Sequence, residues 1–358
     1  MASSSGKRVT LRDVSERAHV SPMTASRVLN HPSSHPIVKE STRETVLAAA
    51  RELGYTANGL AQAMRTGRTG NVGVVLPRRT DGRLLTDTVF YAQLIEGLEY
   101  GLLTNEYNVL IGTVGQDDIQ WRRLPRMAAV RYVDALVFLG VQDRSYVEAM
   151  IAQFKNVIGL DAELNSGCPC VYTPHRDGAI LVAQYLWNHG HRRFAIIADR
   201  ISPNQSDATE GFLDYVKQRE GQIVHVARVN AWAEGGYEGM QEILRLPTLP
   251  TAVFCTNDNL AINGLKAIRE AGLSVPEDIS IVGFDNIDVC EHCNPPLTTI
   301  AFDRRAMGVT AATMVLQILA GQMPDQDHVA VPIRLVERQS VRSMNGPASG
   351  ESATTGHQ

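Results

Sequence analysis

From Asn71 onward, short β-branched and aliphatic runs alternate with helical periods, and that alternation confines the chain to a narrow set of folds. The runs NVGVVL, YNVLIG, DALVFLG and NVIGLD are separated by helical stretches near 89–105, 120–129 and 144–153. A second series, RFAIIA, IVHVAR, TAVFC and ISIVGF, is spaced by stretches near 177–189, 209–219, 235–245 and 258–272. Near-continuous apolar strands between helices require parallel sheets covered on both faces. Two such series predict two α/β lobes, each a doubly wound parallel sheet. Ligands of these sheets sit beyond the carboxyl ends of the strands, which selects Asp161, Arg200, Asn257, Asp258 and Asp285 as residues lining a cleft. An Asp or Asn at a strand end also caps the following helix, so each has a structural alternative.

Ahead of this body, residues 9–29 read VTLRDVSERAHVSPMTASRVL, two short helical patterns joined by a tight turn. Thr10 suits a first cap, with Asp13 reaching back to the free N–H groups, and Leu11, Val14 and Ala18 form an inner stripe. Ser21 then Pro22 start the second helix, because Pro at the first helical position loses no hydrogen bond. Val20, Ala25, Val28 and Leu29 face inward, leaving Pro22, Met23, Thr24, Ser26 and Arg27 toward solvent or a DNA major groove. This is a helix-turn-helix pattern, with His19 in its turn. His tolerates a left-handed backbone better than most residues.

A third helix is expected from about Ser41 to Leu53, ending at Gly54. Lys39 is a poor cap, whereas Ser41 and Glu44 form a capping box, so the helix should start late. Tyr55 leads into NGLAQAMRTGRTG, where Asn58 suits the cap of a short helix through Met64. Seven residues with a glycine near the start cannot be stable alone.

Charge is unevenly shared. Residues 1–70 hold ten Lys/Arg against five Asp/Glu, a net of +5, so the remainder carries −9 to give the total of −4. A basic head on an acidic body suits a nucleic-acid reader joined to a part that need not touch DNA. No segment approaches the ~20 apolar residues of a membrane span, and MASSSGKR lacks a hydrophobic export stretch, so a cytoplasmic protein without membrane partners is expected. Five cysteines suit reduced thiols. Cys168-Pro-Cys170 and Cys290-Glu-His292-Cys293 are incomplete as zinc sites, and no nucleophile motif, phosphate-cradling loop or carboxylate pair stands out. Neither an enzyme nor a cofactor is expected.

The chain resembles the LacI/GalR family of bacterial transcription regulators. The resemblance is carried by VTLRDV, VSPMTASRVLN, TRETV and LGYTANGLAQAMRTGRT in the head and linker. FCTNDNLA, VPEDISIVGFDN and PPLTTI carry it in the body, so that it spans nearly all of residues 9–340. It implies an all-α helix-turn-helix headpiece on a two-lobed α/β core like that of periplasmic binding proteins. The implied domains are a DNA-binding domain at 1–56, a hinge helix and linker at 57–70, an effector-binding and dimerisation core at 71–342, and a tail at 343–358. Within the core, one lobe takes about 71–172 and 302–325, the other about 173–301 and 326–342.

The implied function is transcription repression by a homodimer on a palindromic DNA operator, controlled by a small sugar- or nucleoside-like effector between the lobes. Thr10, Ser21, Pro22, Met23, Thr24, Ser26, Arg27, Asn30, Tyr55, Asn58, Ala61 and Met64 form the DNA-binding set. Pro22 and Met23 stand at the base-reading start of the second helix, so Arg27 is the strongest candidate for a guanine edge. Met64 takes the place of the leucine that family members insert between base pairs. Asp161, Asn257 and Asp285 fall where the family hydrogen-bonds its effector, and Trp232 falls where an aromatic packs on it.

Departures from the family are also informative. Ala208 replaces the usual arginine before the GF pair, with Arg200 as a candidate substitute. The segment from Asn30 to Val38 and the loop RRTDGRLLTDTV at 78–89 are longer than usual. Control by a protein co-regulator, and a plain ligand-binding protein, are the competing functions.

Overall fold

The computed structural model describes residues 9–30, 38–56, 63–64, 66–78, 89–141, 143–162, 167–200, 203–230 and 233–345. These fall into two compact units that divide at Gly70.

The first unit holds α1 (Leu11–Arg17), α2 (Pro22–Asn30) and α3 (Glu40–Leu53). Thr10 and Asp13 form a capping box: Thr10 Oγ1 accepts the Asp13 N–H at 3.3 Å, and Asp13 Oδ2 accepts the Thr10 N–H at 2.7 Å. Ser21 Oγ accepts the Thr24 N–H at 3.1 Å and opens α2. Between the two helices His19 takes φ 52°, the left-handed turn conformation. Val14, Ala18, Ala25, Val28, Val46, Ala49 and Ala50 close the small core.

The third helix does not start late. It begins at Glu40, and the Lys39 carbonyl accepts from Thr42 and Arg43 at 3.0 and 3.1 Å. Arg43 is buried and pairs with Glu40 at 3.6 Å, which secures the first turn without a side-chain cap. Gly54, at φ 63°, ends the helix as expected.

The second unit opens with β1 (Asn71–Pro77), α4 (Val89–Leu103) and β2 (Asn108–Val114). It continues with α5 (Gln116–Gln120), α6 (Arg126–Ala129), β3 (Ala135–Leu139), α7 (Arg144–Gln153), β4 (Val157–Leu160) and β5 (Cys170–Tyr172). The helix expected over 120–129 is thus two short pieces, interrupted by a turn that includes Pro125. The chain then forms α8 (His175–Asn188), β6 (Arg193–Asp199), α9 (Pro203–Gln218), β7 (Gln222–Val229), α10 (Ala233–Leu244), β8 (Ala252–Cys255), α11 (Asp258–Glu270) and β9 (Ser280–Val282). It finishes with β10 (Thr299–Phe302), α12 (Arg304–Leu319), β11 (His328–Ala330) and β12 (Ile333–Val336).

Two parallel sheets result, as the alternation requires. The first runs β11-β5-β4-β3-β1-β2 and the second β7-β6-β8-β9. Their central strands are buried on both faces, Val72, Val137 and Ile158 in one and Ile196, Phe254 and Val282 in the other. β10 and β12 form an antiparallel ribbon, with Thr299 opposite Val336.

The chain recrosses later than expected. The family resemblance implies that the segment after 325 belongs to the second lobe, but β11 pairs with β5, His328 opposite Cys170, and the Cys170 N–H reaches the Asp327 carbonyl at 2.7 Å. The open edge of β5 needs backbone partners, and residues 327–331 supply them. Return to the second lobe therefore follows Val331.

Helix α12 packs directly on α4. A Cβ on Gly97 would lie 2.1 Å from the Arg305 carbonyl oxygen, and one on Gly308 would lie 2.3 Å from that of Leu94. Only glycines permit that approach, and it brings the start of α12 onto the middle of α4. Among the described residues no helix is long and apolar enough to cross a membrane.

Candidate functional site

On the outer face of α2, Pro22, Met23 and Arg27 are exposed, Met23 to 64%, and Thr24 is half-buried. Arg27 forms no ion pair among the described residues, and Glu16, a possible partner, is held by Arg12 at 2.9 Å. Ser26 corrects the expected pattern. The helical period puts it toward solvent, yet it is 9% exposed. It sits on the margin of the stripe made by Ala25, Val28 and Leu29, where a small hydroxyl fits against the core.

Thr10 and Ser21 are exposed and occupied as caps. Tyr55 is half-buried against the small core, and its N–H reaches the Ala50 carbonyl at 2.9 Å. Met64 is 84% exposed. Asn58, Ala61 and Trp232, the side chain of Asn30, and the loop at 79–88 lie outside the described residues.

The cleft is built from strand ends, as the topology dictates. From the first lobe, β4 delivers Asp161, whose N–H is tied to the Val171 carbonyl at 2.9 Å. Asp161 is 5% exposed and its φ of 56° is left-handed. Among the described residues its Oδ1 is buried without a hydrogen-bond partner. Burial pushes this carboxyl up to about 7, because removal from water penalises the charged form. Tyr91, in the first turn of α4, stands near it. Gly140, at φ 66°, makes room for that ring, since a Cβ there would meet the Tyr91 hydroxyl at 3.0 Å. The Tyr91 hydroxyl is held un-ionised by burial first, then by the charges of Asp161, Asp285 and Asp199.

From the second lobe, β6 delivers half-buried Asp199. The Gln205 side-chain carbonyl accepts from the Asp199 N–H at 2.9 Å and from Thr256 Oγ1 at 2.5 Å, fastening the first turn of α9 to two strand ends. That helix begins at Pro203, six residues before the expected 209, so Ala208 is buried inside it at 1% exposure. Asn204 lies on the same turn, and its Nδ2 donates to the Asp161 carbonyl at 3.1 Å, reaching the opposite lobe. Arg200, the candidate substitute for the missing arginine, is held at the end of β7. It is exposed, and its guanidinium donates to the Arg228 carbonyl at 3.1 and 3.3 Å.

Asn257 is 7% exposed, and its Oδ1 caps α11 by accepting the Leu260 N–H at 2.8 Å, its structural alternative. Asp258 is fully buried and braces the turn after β9, accepting from Thr299 Oγ1 at 2.6 Å and the Ile287 N–H at 2.9 Å. Burial raises its carboxyl to about 6 against those hydrogen bonds. Asp285 follows in that turn at φ 111°, with Asn286 at φ 49°. Its carboxyl is raised well above the usual range by burial and then by Asp258, and Arg304 opposes the rise. Strained non-glycine backbone of this kind persists only where surrounding contacts hold it.

Here Arg304, 7% exposed at the start of α12, does the holding. Its Nη1 donates to the Asp285 carbonyl, its Nη2 to the Asn286 carbonyl at 3.2 Å, and its Nε to Gln93 Oε1 at 2.6 Å. Asp161 and Asp285, two of the candidate cleft residues, thus lie near Tyr91, Asp199, Asn204 and Arg304, which the sequence patterns do not single out. Among the described residues no group of three or more His, Cys, Asp or Glu is placed to hold a metal ion. The arrangement places buried hydrogen-bonding carboxyl groups at the strand ends of both lobes.

Comparison with known proteins agrees with this geometry. The profile described as bacterial regulatory proteins, lacI family, matches residues 10–58, and that of a periplasmic binding protein-like domain matches residues 183–341. The HTH-type transcriptional repressor CytR of Escherichia coli is 31% identical over 343 residues, covering 94% of this chain and 97% of that protein. The HTH-type transcriptional repressor PurR of Klebsiella pneumoniae is 28% identical over 344 residues, covering 93% and 96%. The structure of the lac repressor dimer bound to operator and an anti-inducer superposes with a TM-score of 0.83 at 27% identity, over 94% of this chain and all of that one. Likeness of this extent, in head and body alike, is shared descent: the chain belongs to the lacI family of bacterial regulatory proteins and is a DNA-binding transcription repressor.

Proposed function

We propose that the protein works in the cytoplasm as a homodimer on a palindromic operator, and that a small polar metabolite, a sugar or a nucleoside, binds between its lobes and sets operator affinity. The observation that carries this reading is the buried Oδ1 of Asp161, unpartnered among the described residues, in a cleft whose lobes are bridged by hydrogen bonds. A buried acceptor left unpaired costs stability, and a donor on a bound ligand would relieve that cost.

Asn204 to Asp161 and Arg304 to Asp285 are the contacts that tie the lobes. A ligand that binds one lobe angle better than another shifts the population by the difference in its two affinities. Residues 57–70 carry that change to the head, with Met64 as the apolar wedge in the minor groove. Arg27 reads a guanine edge while Met23 packs on a thymine methyl. The solved relatives include a lac repressor dimer on its operator and a CelR–cellobiose complex, which support a dimer, an operator and a small-molecule effector.

The test is selection of genomic fragments by the purified chain at near-physiological salt, followed by sequencing. A palindromic motif beside a transport or catabolic operon is the expected result. Absence of any enriched motif, with and without candidate metabolites, would overturn the operator reading.

A further inference from the structure

We propose that Cys290 and Cys293 form a modification site, which a peroxide oxidant closes into a reversible disulfide that loosens the turn at Asp285 and Asn286 and so makes operator affinity redox-dependent. The disulfide itself does not depend on what the cleft binds; the effect on the operator rests on the lobe-coupling reading above.

The two cysteines stand three residues apart on one tight turn. A 3-10 turn covers Asp288–Glu291, where the Cys290 N–H reaches the Ile287 carbonyl at 2.9 Å and the His292 N–H reaches that of Val289 at 3.0 Å. Side chains three positions apart eclipse in such a turn, so Cys293, which follows the capping His292, is brought over Cys290. Three residues at ~2.0 Å rise put the two Cα atoms about 6 Å apart, inside the roughly 4.4–6.8 Å that a disulfide spans. Both side chains pack on the same apolar cluster of the second lobe. Cys290 is fully buried there and Cys293 half-buried, whereas Cys168, Cys170 and Cys255 are all buried. One sulfur can therefore meet an oxidant, and the other waits behind it.

The chemistry balances with a hydroperoxide. The Cys293 sulfur, having given up its proton, attacks a peroxide oxygen; the S–O bond forms, the O–O bond breaks, and the leaving oxygen takes up the proton. The Cys290 sulfur then attacks Cys293, the S–S bond forms, the S–O bond breaks, and the departing hydroxide takes the Cys290 proton as water. The two thiols lose two electrons and the peroxide gains them. The proton has a path, because the Cys290 thiol is hydrogen-bonded to the Asp258 carboxyl. Burial first and then the charge of Asp258 hold both thiols protonated, with Arg338 opposing. Only thiolate reacts, so the pair ignores brief pulses and follows a sustained oxidant load.

The reduced thiol belongs to the brace of the neighbouring turn. Asp258 accepts from Cys290, from Thr299 Oγ1 and from the N–H of Ile287, which directly follows the left-handed pair Asp285 and Asn286. A disulfide has no S–H, so that donor is lost. Arg338 donates to Asn286 Oδ1 at 2.8 Å and pairs with Glu291 at 3.1 Å, so a bridge that reshapes residues 288–293 also pulls on Asn286. Arg304, from the other lobe, is held by the Asp285 and Asn286 carbonyls, and the disturbance reaches that lobe through it.

The experiment treats the full chain with excess hydrogen peroxide at pH 8 and follows intact mass, disulfide mapping and amide hydrogen exchange. The expected product is a monomeric chain lighter by two hydrogens, linked from Cys290 to Cys293 and restored by dithiothreitol. Exchange over residues 285–291 should become about tenfold faster in the oxidised chain and return on reduction. Cys293→Ser, at a half-buried position, should fold with the wild-type Tm, form no such link and show no change in exchange. No loss of hydrogens, a link to another cysteine or between chains, or unchanged exchange in the linked chain would overturn the proposal. Binding of the reduced and oxidised chains to genomic fragments selected by the reduced chain tests the last step. A severalfold change in affinity, reversed by dithiothreitol and absent in Cys293→Ser, is expected; equal affinities of a fully linked chain would defeat the switch while leaving the operator reading standing.

Discussion

The side-chain amide of Asn204 donates to the backbone carbonyl of Asp161 at 3.1 Å, so the first turn of a helix in one lobe is hydrogen-bonded to a strand end in the other. Removing the amide should favour the open form. Asn204→Ala is expected to cost about 1 kcal/mol of closure, the net worth of a neutral hydrogen bond, and to weaken a closure-dependent ligand about fivefold. Calorimetric titration of wild type and variant checks this, and equal affinities would show that the bond does not limit closure.

Asp161 makes stability depend on pH in a known direction. Its carboxyl rises from about 3.8 in the unfolded chain to about 7 in the fold. A raised carboxyl carries no penalty below pH 4, an increasing one between pH 4 and 7, and a constant one above. Asp161→Asn should therefore leave Tm unchanged near pH 4 and raise it most above pH 7. The ceiling is about 4 kcal/mol, from about 1.4 kcal/mol per pKa unit. His175, lowered to about 4 by burial, acts oppositely at acid pH. The difference between variant and wild type removes that contribution. Thermal unfolding from pH 4 to 8 is the measurement, and a flat difference would mean that Asp161 is solvated.

What the sequence made legible was local or periodic. The capping box of Thr10 and Asp13 spans three residues, and strand-end Asp161 and Asp285 follow directly from apolar runs. Asn257 was equally readable as a cap, since both readings follow from its place at a strand end. Pairings across the fold were not legible. Asn204 meets Asp161 from 43 residues away, and Arg304 meets Gln93 from 211. Those meetings depend on the chain recrossing between lobes and on Gly97 and Gly308 letting α4 and α12 touch, which no short window encodes. Ser26 misled because the margin of a helical stripe is decided by the packed neighbour and not by the period.

Arg27 is exposed on the outer face of α2, with Met23 one turn before it. Arg27→Ala should cost about 1 to 3 kcal/mol at one base pair of each half-site and relax the preference there, with little change at other positions. Binding to a library of operator variants at fixed salt reads this directly. A uniform loss across all sequences would assign Arg27 to a phosphate instead.

Arg304 holds the strained turn at Asp285 and Asn286 by donating to both carbonyls, and it is itself buried. Arg304→Met keeps much of the volume and removes the donors. Two carbonyls are then left without their partner, and the Gln93 side chain loses its own, so the expected loss is about 3 kcal/mol in urea unfolding. The guanidinium charge also opposes the rise of the Asp285 carboxyl, so that carboxyl should titrate higher still in the variant. Stability of Arg304→Met should therefore fall further behind wild type over the pH range in which Asp285 ionises in the wild-type fold, because the penalty of ionising it is larger in the variant. A stability loss independent of pH over that range would show that Arg304 acts on the turn through its hydrogen bonds alone.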